Sequence, residues 1–337
     1  MNRPPANADR TRLTGPLPSL GFARGEDDRW ELTTSVGLTA MMVTALRALA
    51  SQDPRSLLDD RFAAPLVRAV GHEYFTRLVD GEVRMPTGSS AFDQQFMCEQ
   101  MAVRTRFFDD FLLGAAAAGL RQLVILAAGL DARAFRLPWP EGTVVFEVDQ
   151  PAVVAVKTRA LSELGATPQA DYRPVGIDLR EAWPTALRTA GFVVTQPTAW
   201  IAEGLLVYLP AQAQDRLLDD IRALSAPSSR IAIDHIPDMG SFCDHRGQTW
   251  RDHWQRSGLD LDVASMVWGG PRREPALHLA VHGWHTAATT AVQLYPANGL
   301  AFPDDPALDG FRDITYITAE LGRPGGPVTR GVRPVLP

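Results

Sequence analysis

The chain has 337 residues, of which 45% are hydrophobic and 21% charged, with a formal net charge of -6 and Lys157 as the only lysine. This is too apolar for a disordered chain, supplies a large core, and offers no broad basic face to a nucleic acid. Its two cysteines, Cys98 and Cys243, lie far apart with no CxxC, which excludes a disulfide framework or a cysteine-rich zinc module and fits a reducing compartment.

Residues 1–27 carry four prolines and scattered polar residues. They are expected to form a mobile arm, and they hold no apolar run of the kind a targeting signal needs. From Trp30 to Leu49, apolar residues such as Val36, Met41, Leu46 and Leu49 recur at helical spacing. Leu57–Val70 and Glu73–Val79 read as short helices. Phe92–Leu113 reads as a longer one running into the Ala-rich stretch Ala115–Ala118. Residues 28–120 are therefore expected to be a helical cap region.

At Gln122 the texture changes to strands alternating with helices. Leu123–Leu126 is a buried strand ending at Ala127-Ala128-Gly129, and Thr143–Phe146 a second, ending at Glu147-Val148-Asp149. Pro151 opens a helix to Leu164. Strands near Tyr172–Val175, Thr198–Ala202 and Arg230–Ile233 follow, ending at Asp178, at Glu203-Gly204 and at Asp234-His235. Pro210 opens the helix between the last two. Trp284–Thr289 and Asp313–Ala319 close the set. This alternation predicts an α/β domain with a mostly parallel sheet over residues 121–320, an insertion at 236–283, and an irregular tail at 321–337. No apolar stretch is long enough to span a bilayer. The expectation is a cytoplasmic protein without membrane contact.

In open α/β sheets ligands bind beyond the carboxyl ends of the strands. Those ends carry Gly129, Asp131, Glu147, Asp149, Asp178, Glu203 and Asp234. The set is acidic, and no GxxxxGK[ST] is present for a nucleoside triphosphate. Gly129 lets a ligand approach the backbone, and Asp149, about twenty residues on, can accept from a ribose diol. Each has a plainer reading: Gly129 turns the chain, and Asp149 caps the helix near Pro151. The joint spacing favours a nucleoside. A dinucleotide needs GxGxxG to clear its pyrophosphate. Here the turn is Ala127-Ala128-Gly129-Leu130-Asp131-Ala132, with an acid where a phosphate would lie. S-Adenosylmethionine has no phosphate and a positive sulfonium, so an acid-lined pocket suits it.

Four segments form an ordered series: Val103-Arg104-Thr105-Arg106-Phe107-Phe108-Asp109-Asp110, Ala127 through Leu137, Glu147-Val148-Asp149-Gln150-Pro151, and Ala202-Glu203-Gly204-Leu205-Leu206-Val207-Tyr208-Leu209. Through them the chain resembles the leucine carboxyl methyltransferase-like family, in its actinobacterial branch of S-adenosylmethionine-dependent methyltransferases, over residues 28–320. The start around Asp28-Arg29-Trp30-Glu31 also looks like that branch. The resemblance implies a class I methyltransferase fold, Rossmann-like, with a seven-stranded, mostly parallel sheet, an antiparallel last strand and an N-terminal helical cap. It implies S-adenosyl-L-methionine as cofactor. Arg104 would grip the methionyl carboxylate, and Gly129 would form the first-strand turn. Asp149 would hold the ribose, Asp178 and Leu179 the adenine, and Glu203 would lie beside the methionine moiety. The departure is Ala127, where the family usually has glycine.

The expected activity is methyl transfer, at oxygen, to a small-molecule acceptor with a carboxylate or hydroxyl. The rival readings are an NAD(P)-dependent oxidoreductase, against which the missing GxGxxG counts, and a non-catalytic cofactor-binding protein. A carboxylate acceptor needs no base, and none is assigned; Tyr208 and His235 are the candidates, with packing the plainer role for each. His278 and His282 would share a helix face, with His245, His253 and His285 nearby, but there is no HExxH and no metal site is expected. Neither Cys98 nor Cys243 has a partner motif for a nucleophile. Trp250, Trp254, Trp268 and Trp284 make the insertion aromatic, as an apolar acceptor pocket or ordinary core would be.

Overall fold

A computed structural model describes residues 36–322, apart from 54, 56, 86–92, 238–251, 253, 257–258 and 260–265. The expected arm 1–27, the segment around Asp28, nearly all of the tail, and His245, His253, Cys243 and Trp250 lie outside the described residues.

Seven strands form one sheet in the order β3-β2-β1-β4-β5-β7-β6. They are β1 (Gln122–Leu126), β2 (Val144–Asp149), β3 (Asp171–Gly176), β4 (Thr198–Ala202), β5 (Arg230–His235), β6 (Trp284–Thr290) and β7 (Thr315–Leu321). The first five pair in parallel, and β7 runs antiparallel to both β5 and β6. This is the class I methyltransferase sheet that the resemblance implies. All residues of β1 and β4 are buried, because helices cover both faces of these central strands. Their sequences are therefore near-continuous apolar runs.

The strand order reverses between β1 and β4, where one chain crossing goes toward β2 and the other toward β5. Crossings in opposite directions leave a crevice at the carboxyl ends. One face of the sheet is packed by the cap helices: α1 (Val36–Ala50), α2 (Ala63–Val70), α3 (Glu73–Val79) and α4 (Gln94–Ala117). α5 (Arg133–Arg136) and α6 (Pro151–Glu163) join this layer. The other face is covered by α7 (Trp183–Thr189), α8 (Ala211–Leu224) and α9 (Pro275–Val281). Two short helices, α10 (Ala291–Ala297) and α11 (Asp309–Arg312), link β6 to β7.

The cap differs from expectation at two ends. The helix expected from Leu57 starts only at Ala63. Asp60, buried, accepts from Phe62 N at 3.3 Å and pairs with Arg47 Nε at 2.9 Å. These bonds fix the preceding segment as an irregular turn. The Ala-rich stretch continues α4 to Ala117 because Ala115 and Ala116 pack into the core. Asp93 caps that helix, accepting from Phe96 N at 3.0 Å. Arg47 also donates to Leu130 O at 2.8 Å, which ties the cap to the turn after β1. No helix among the described residues is long and apolar enough to cross a membrane.

Candidate functional site

The turn after β1 sets the site. Ala127 and Gly129 both adopt left-handed conformations, with φ of 50° and 51°. The turn aims Gly129 N at Asp149 Oδ2, at 2.6 Å, while Gln150 N donates to Asp149 Oδ1 at 2.7 Å. Asp149 thus stands at the end of β2 with each oxygen taking one backbone donor. A carboxylate oxygen has two lone-pair directions, so both retain one for a ligand. Burial raises the Asp149 pKa above the ordinary value, against the two backbone donors.

A cavity of about 680 Å³ opens here between the sheet ends and the cap. Arg104, Gly129, Asp149, Asp178, Leu179, Glu203 and Tyr208 all line it. Asp178 follows β3 and accepts from Gln150 Nε2 at 2.6 Å and from Arg180 Nη2 at 2.7 Å. Burial alone would raise its pKa, but the Arg180 and Gln150 donors outweigh it and hold the carboxyl low. Tyr208 OH lies 3.3 Å from Thr39 Oγ1 of α1. His235 is not among the lining residues. It points to the other face of β5, where burial and the nearby Arg272 charge push its pKa down to about 4.

Sequence reasoning did not foresee the charged network at the floor. Arg104 Nε lies 2.9 Å from Glu203 Oε1 and 3.3 Å from Asp234 Oδ2. Burial works against its charge, yet Asp234 and Glu203 hold its pKa above the ordinary value. Arg133 is 2% exposed and reaches Glu203 Oε2 at 2.8 Å and Asp109 Oδ1 at 2.6 Å, and it also pairs with Asp131. It is the hub that fixes Glu203 and Asp131 together. Gly204 closes the network: its N donates to Asp234 Oδ1 at 2.7 Å, and a Cβ there would come within 2.4 Å of Arg104 Nη2. Asp234 was visible as a strand-end acid, and Arg133 as a base two residues from Asp131. Their pairing joins residues far apart in sequence and leaves no periodic signal.

The remaining candidates lie elsewhere. His278 and His282 do share a face of α9, with rings 4.5 Å apart, and Asp219 of α8 adds a carboxylate, the ligand atoms lying within 4.8 Å of one another. His278 Nε2 lies 2.8 Å from Asp219 Oδ1, a hydrogen bond that ties α9 to α8. His285 lies in β6. Burial pushes the Cys98 thiol up to about 12, which suits packing and not nucleophilic attack. Of the tryptophans, Trp268 lines the cavity, whereas Trp254 and Trp284 are core.

Residues 40–222 match the leucine carboxyl methyltransferase family. A protein of Mycobacterium bovis (strain BCG / Pasteur 1173P2) named "Putative S-adenosyl-L-methionine-dependent methyltransferase" is 52% identical over 302 residues, 90% of this chain and 100% of its own length. A protein of the same name from Mycobacterium marinum is 51% identical over 295 residues, 88% of this chain and 98% of its own. The chain belongs to the leucine carboxyl methyltransferase family. A crystal structure titled as a putative methyltransferase from Thermobifida fusca is also similar, at 18% identity and TM-score 0.45 over 77% of this chain and 94% of that one. Family membership explains why the four motifs occur in order: each ends a strand, or faces the strand ends from α4, at the same cavity. Ala127, where the resemblance leads one to expect glycine, keeps the left-handed backbone that glycine would adopt without strain.

Proposed function

We propose that this protein transfers a methyl group from S-adenosyl-L-methionine to an oxygen of a small-molecule acceptor in the cytoplasm. By family it is a methyltransferase that uses S-adenosyl-L-methionine. The observation that carries the site assignment is the convergence on one cavity of Asp149 from β2, Asp178 and Leu179 after β3, and Arg104 with Glu203.

The residues present fit the cofactor. Asp149 retains a free lone pair on each oxygen for a ribose diol. Leu179 follows β3 beside Asp178, where the two would flank the adenine. Arg104 carries five N–H donors, enough for its two carboxylate partners and a methionyl carboxylate besides. Glu203, Asp234 and Asp131 supply a negative field where a sulfonium would sit, and Arg133 keeps two of them in place. When bound, S-adenosyl-L-methionine supplies a methyl group already activated on its sulfonium. The chain then has to align the acceptor oxygen in line with that methyl and keep water out. Such positioning contributes on the order of 7–11 kcal/mol. Residues of α1 and α4 line the cavity on the cap side, and Val207 and Trp268 line it as well. A carboxylate acceptor reacts as it stands; a hydroxyl must give up its proton as the new bond forms, and of the two residues considered for that task only Tyr208 faces the cavity.

Calorimetry with S-adenosyl-L-methionine and S-adenosylhomocysteine tests the reading. Saturable binding of both is expected, and none of NADPH. No binding at millimolar ligand would refute it. Asp149→Ala should weaken binding by about 1.5–3 kcal/mol for each hydrogen bond lost; unchanged affinity would move the ribose elsewhere.

A further inference from the structure

α4 acts as a ruler along the cavity. Met97, Gln100, Met101 and Arg104 recur at intervals of three and four, and all four line the space. Four residues of helix rise about 6 Å. If Arg104 marks the methionine end of the cofactor, Gln100 and the two methionines lie one to two turns beyond it, where an acceptor would sit. The inference rests on the methyltransferase reading above.

That part of the cavity is apolar, with Met97 and Met101 of α4, Met42 of α1, and Phe311 and Ile314 before β7. One buried polar pair interrupts it. Gln100 Nε2 lies 3.3 Å from Tyr316 OH, with Gln100 5% and Tyr316 1% exposed. Gln100 Oε1 is buried and has no hydrogen-bond partner. A buried acceptor left open costs about 1–3 kcal/mol, a cost that a ligand's donor removes. Tyr316 also pairs in register with Asp234, the residue that contacts Arg104. The pair therefore lies between the charged floor and the apolar chamber.

We propose that Gln100 and Tyr316 form the polar anchor of the acceptor site, and that the acceptor is a neutral, largely apolar molecule bearing a hydroxyl group. Whichever way the Gln100 amide is turned, the two side chains together offer at least one free donor and one free acceptor. A hydroxyl both donates and accepts, so it satisfies both. A carboxylate only accepts. It would leave the second group unmet and lie beside Asp234 and Glu203 without a cation of its own. Burial holds the Tyr316 phenol above its ordinary pKa, so it remains a protonated partner.

The experiment compares three probes of one shape, 2-naphthol, 2-naphthoate and 2-methylnaphthalene, by ligand-observed NMR titration on the full chain with and without S-adenosylhomocysteine. 2-Naphthol should bind at least about tenfold more tightly than either of the others. Gln100→Leu and Tyr316→Phe should each erase most of that preference while S-adenosylhomocysteine affinity, measured on the same samples, stays within about twofold of the parent. The proposal is overturned if 2-naphthoate binds as tightly, if the preference survives in both variants, or if no probe binds at millimolar concentration. Loss of S-adenosylhomocysteine binding by the parent chain would strike the cofactor reading instead, and the probe ranking without it would still decide the role of the pair.

Discussion

Ala127 holds a φ of 50° at the turn after β1. A side chain with a Cβ pays about 1–2 kcal/mol for that conformation. Glycine avoids this cost but gives up part of the gain to unfolded-state entropy. Ala127→Gly should therefore raise the unfolding free energy by about 1 kcal/mol, read as a higher urea midpoint at unchanged slope. A lower midpoint would show that the methyl packs well enough to outweigh the strain. The opposite change applies at Gly204, whose φ is 63° and where a Cβ would come within 2.4 Å of Arg104 Nη2. Gly204→Ala should displace the guanidinium and weaken S-adenosylhomocysteine by about tenfold or more in calorimetry. Gly129→Ala differs from it: the new Cβ clears the protein, with Ala40 Cβ at 3.7 Å, but Gly129 lines the cavity, so the change adds backbone strain and a methyl group against the cofactor together. The sequence flagged Ala127 because the motif wants glycine there, and the left-handed turn supplies the physical reason. It placed Gly204 at a strand end but offered no reason for a glycine there, because the guanidinium that forbids a side chain belongs to a helix a hundred residues earlier.

At the scale of elements, strands were legible because burial on both faces leaves a plain apolar run closed by Gly or an acid. Thr198–Ala202 matches to the residue, β1 and β5 within two residues, and β2 within three. Helix starts were less legible where a side chain intervenes, as Asp60 does before α2. The polar ties between elements were not legible at all. Lys157 of α6, 1% exposed, lies 2.5 Å from Glu147 Oε2 of β2, and Tyr172 OH of β3 donates to the same oxygen at 2.9 Å. Burial raises the Glu147 pKa, and the Lys157 charge opposes that shift. Removing one partner of a buried pair costs about 3–5 kcal/mol, because the other charge stays buried. Lys157→Met should destabilise the chain by about that much in chemical denaturation. The double replacement Lys157→Met with Glu147→Leu should recover most of the loss, since no charge is then left alone. A double variant as unstable as the single one would mean that the pair itself, and not the stranded charge, holds α6 to the sheet.

For the molecule as a whole, the two faces of the sheet divide the work. The cap face carries the cavity and its charged floor; the other face carries α7, α8 and α9 and the side chain of His235. His235 is 5% exposed, and its pKa is lowered to about 4 by burial and by Arg272. In the unfolded chain the same group titrates near 6.5. Between these values the unfolded state holds more protons than the fold, so stability rises with pH. The contribution is fully present above 6.5 and is lost as pH falls through about 4. A difference of this size corresponds to on the order of 3 kcal/mol. Other buried acids, Asp149, Asp234 and Glu147 among them, have raised pKa values and act in the opposite direction, because protonation relieves their burial. The acid profile of the parent chain alone therefore mixes both signs. The comparison with His235→Gln separates them, since the carboxylates are common to both proteins and cancel. The variant pays a roughly constant packing cost but keeps no proton-linked term at this position. Measured by urea unfolding from neutral pH down to about 4, the stability advantage of the parent over the variant should shrink by about 3 kcal/mol. An advantage that stays flat across that range would mean that His235 takes up its proton within the fold, with a carboxylate or water reaching it behind β5.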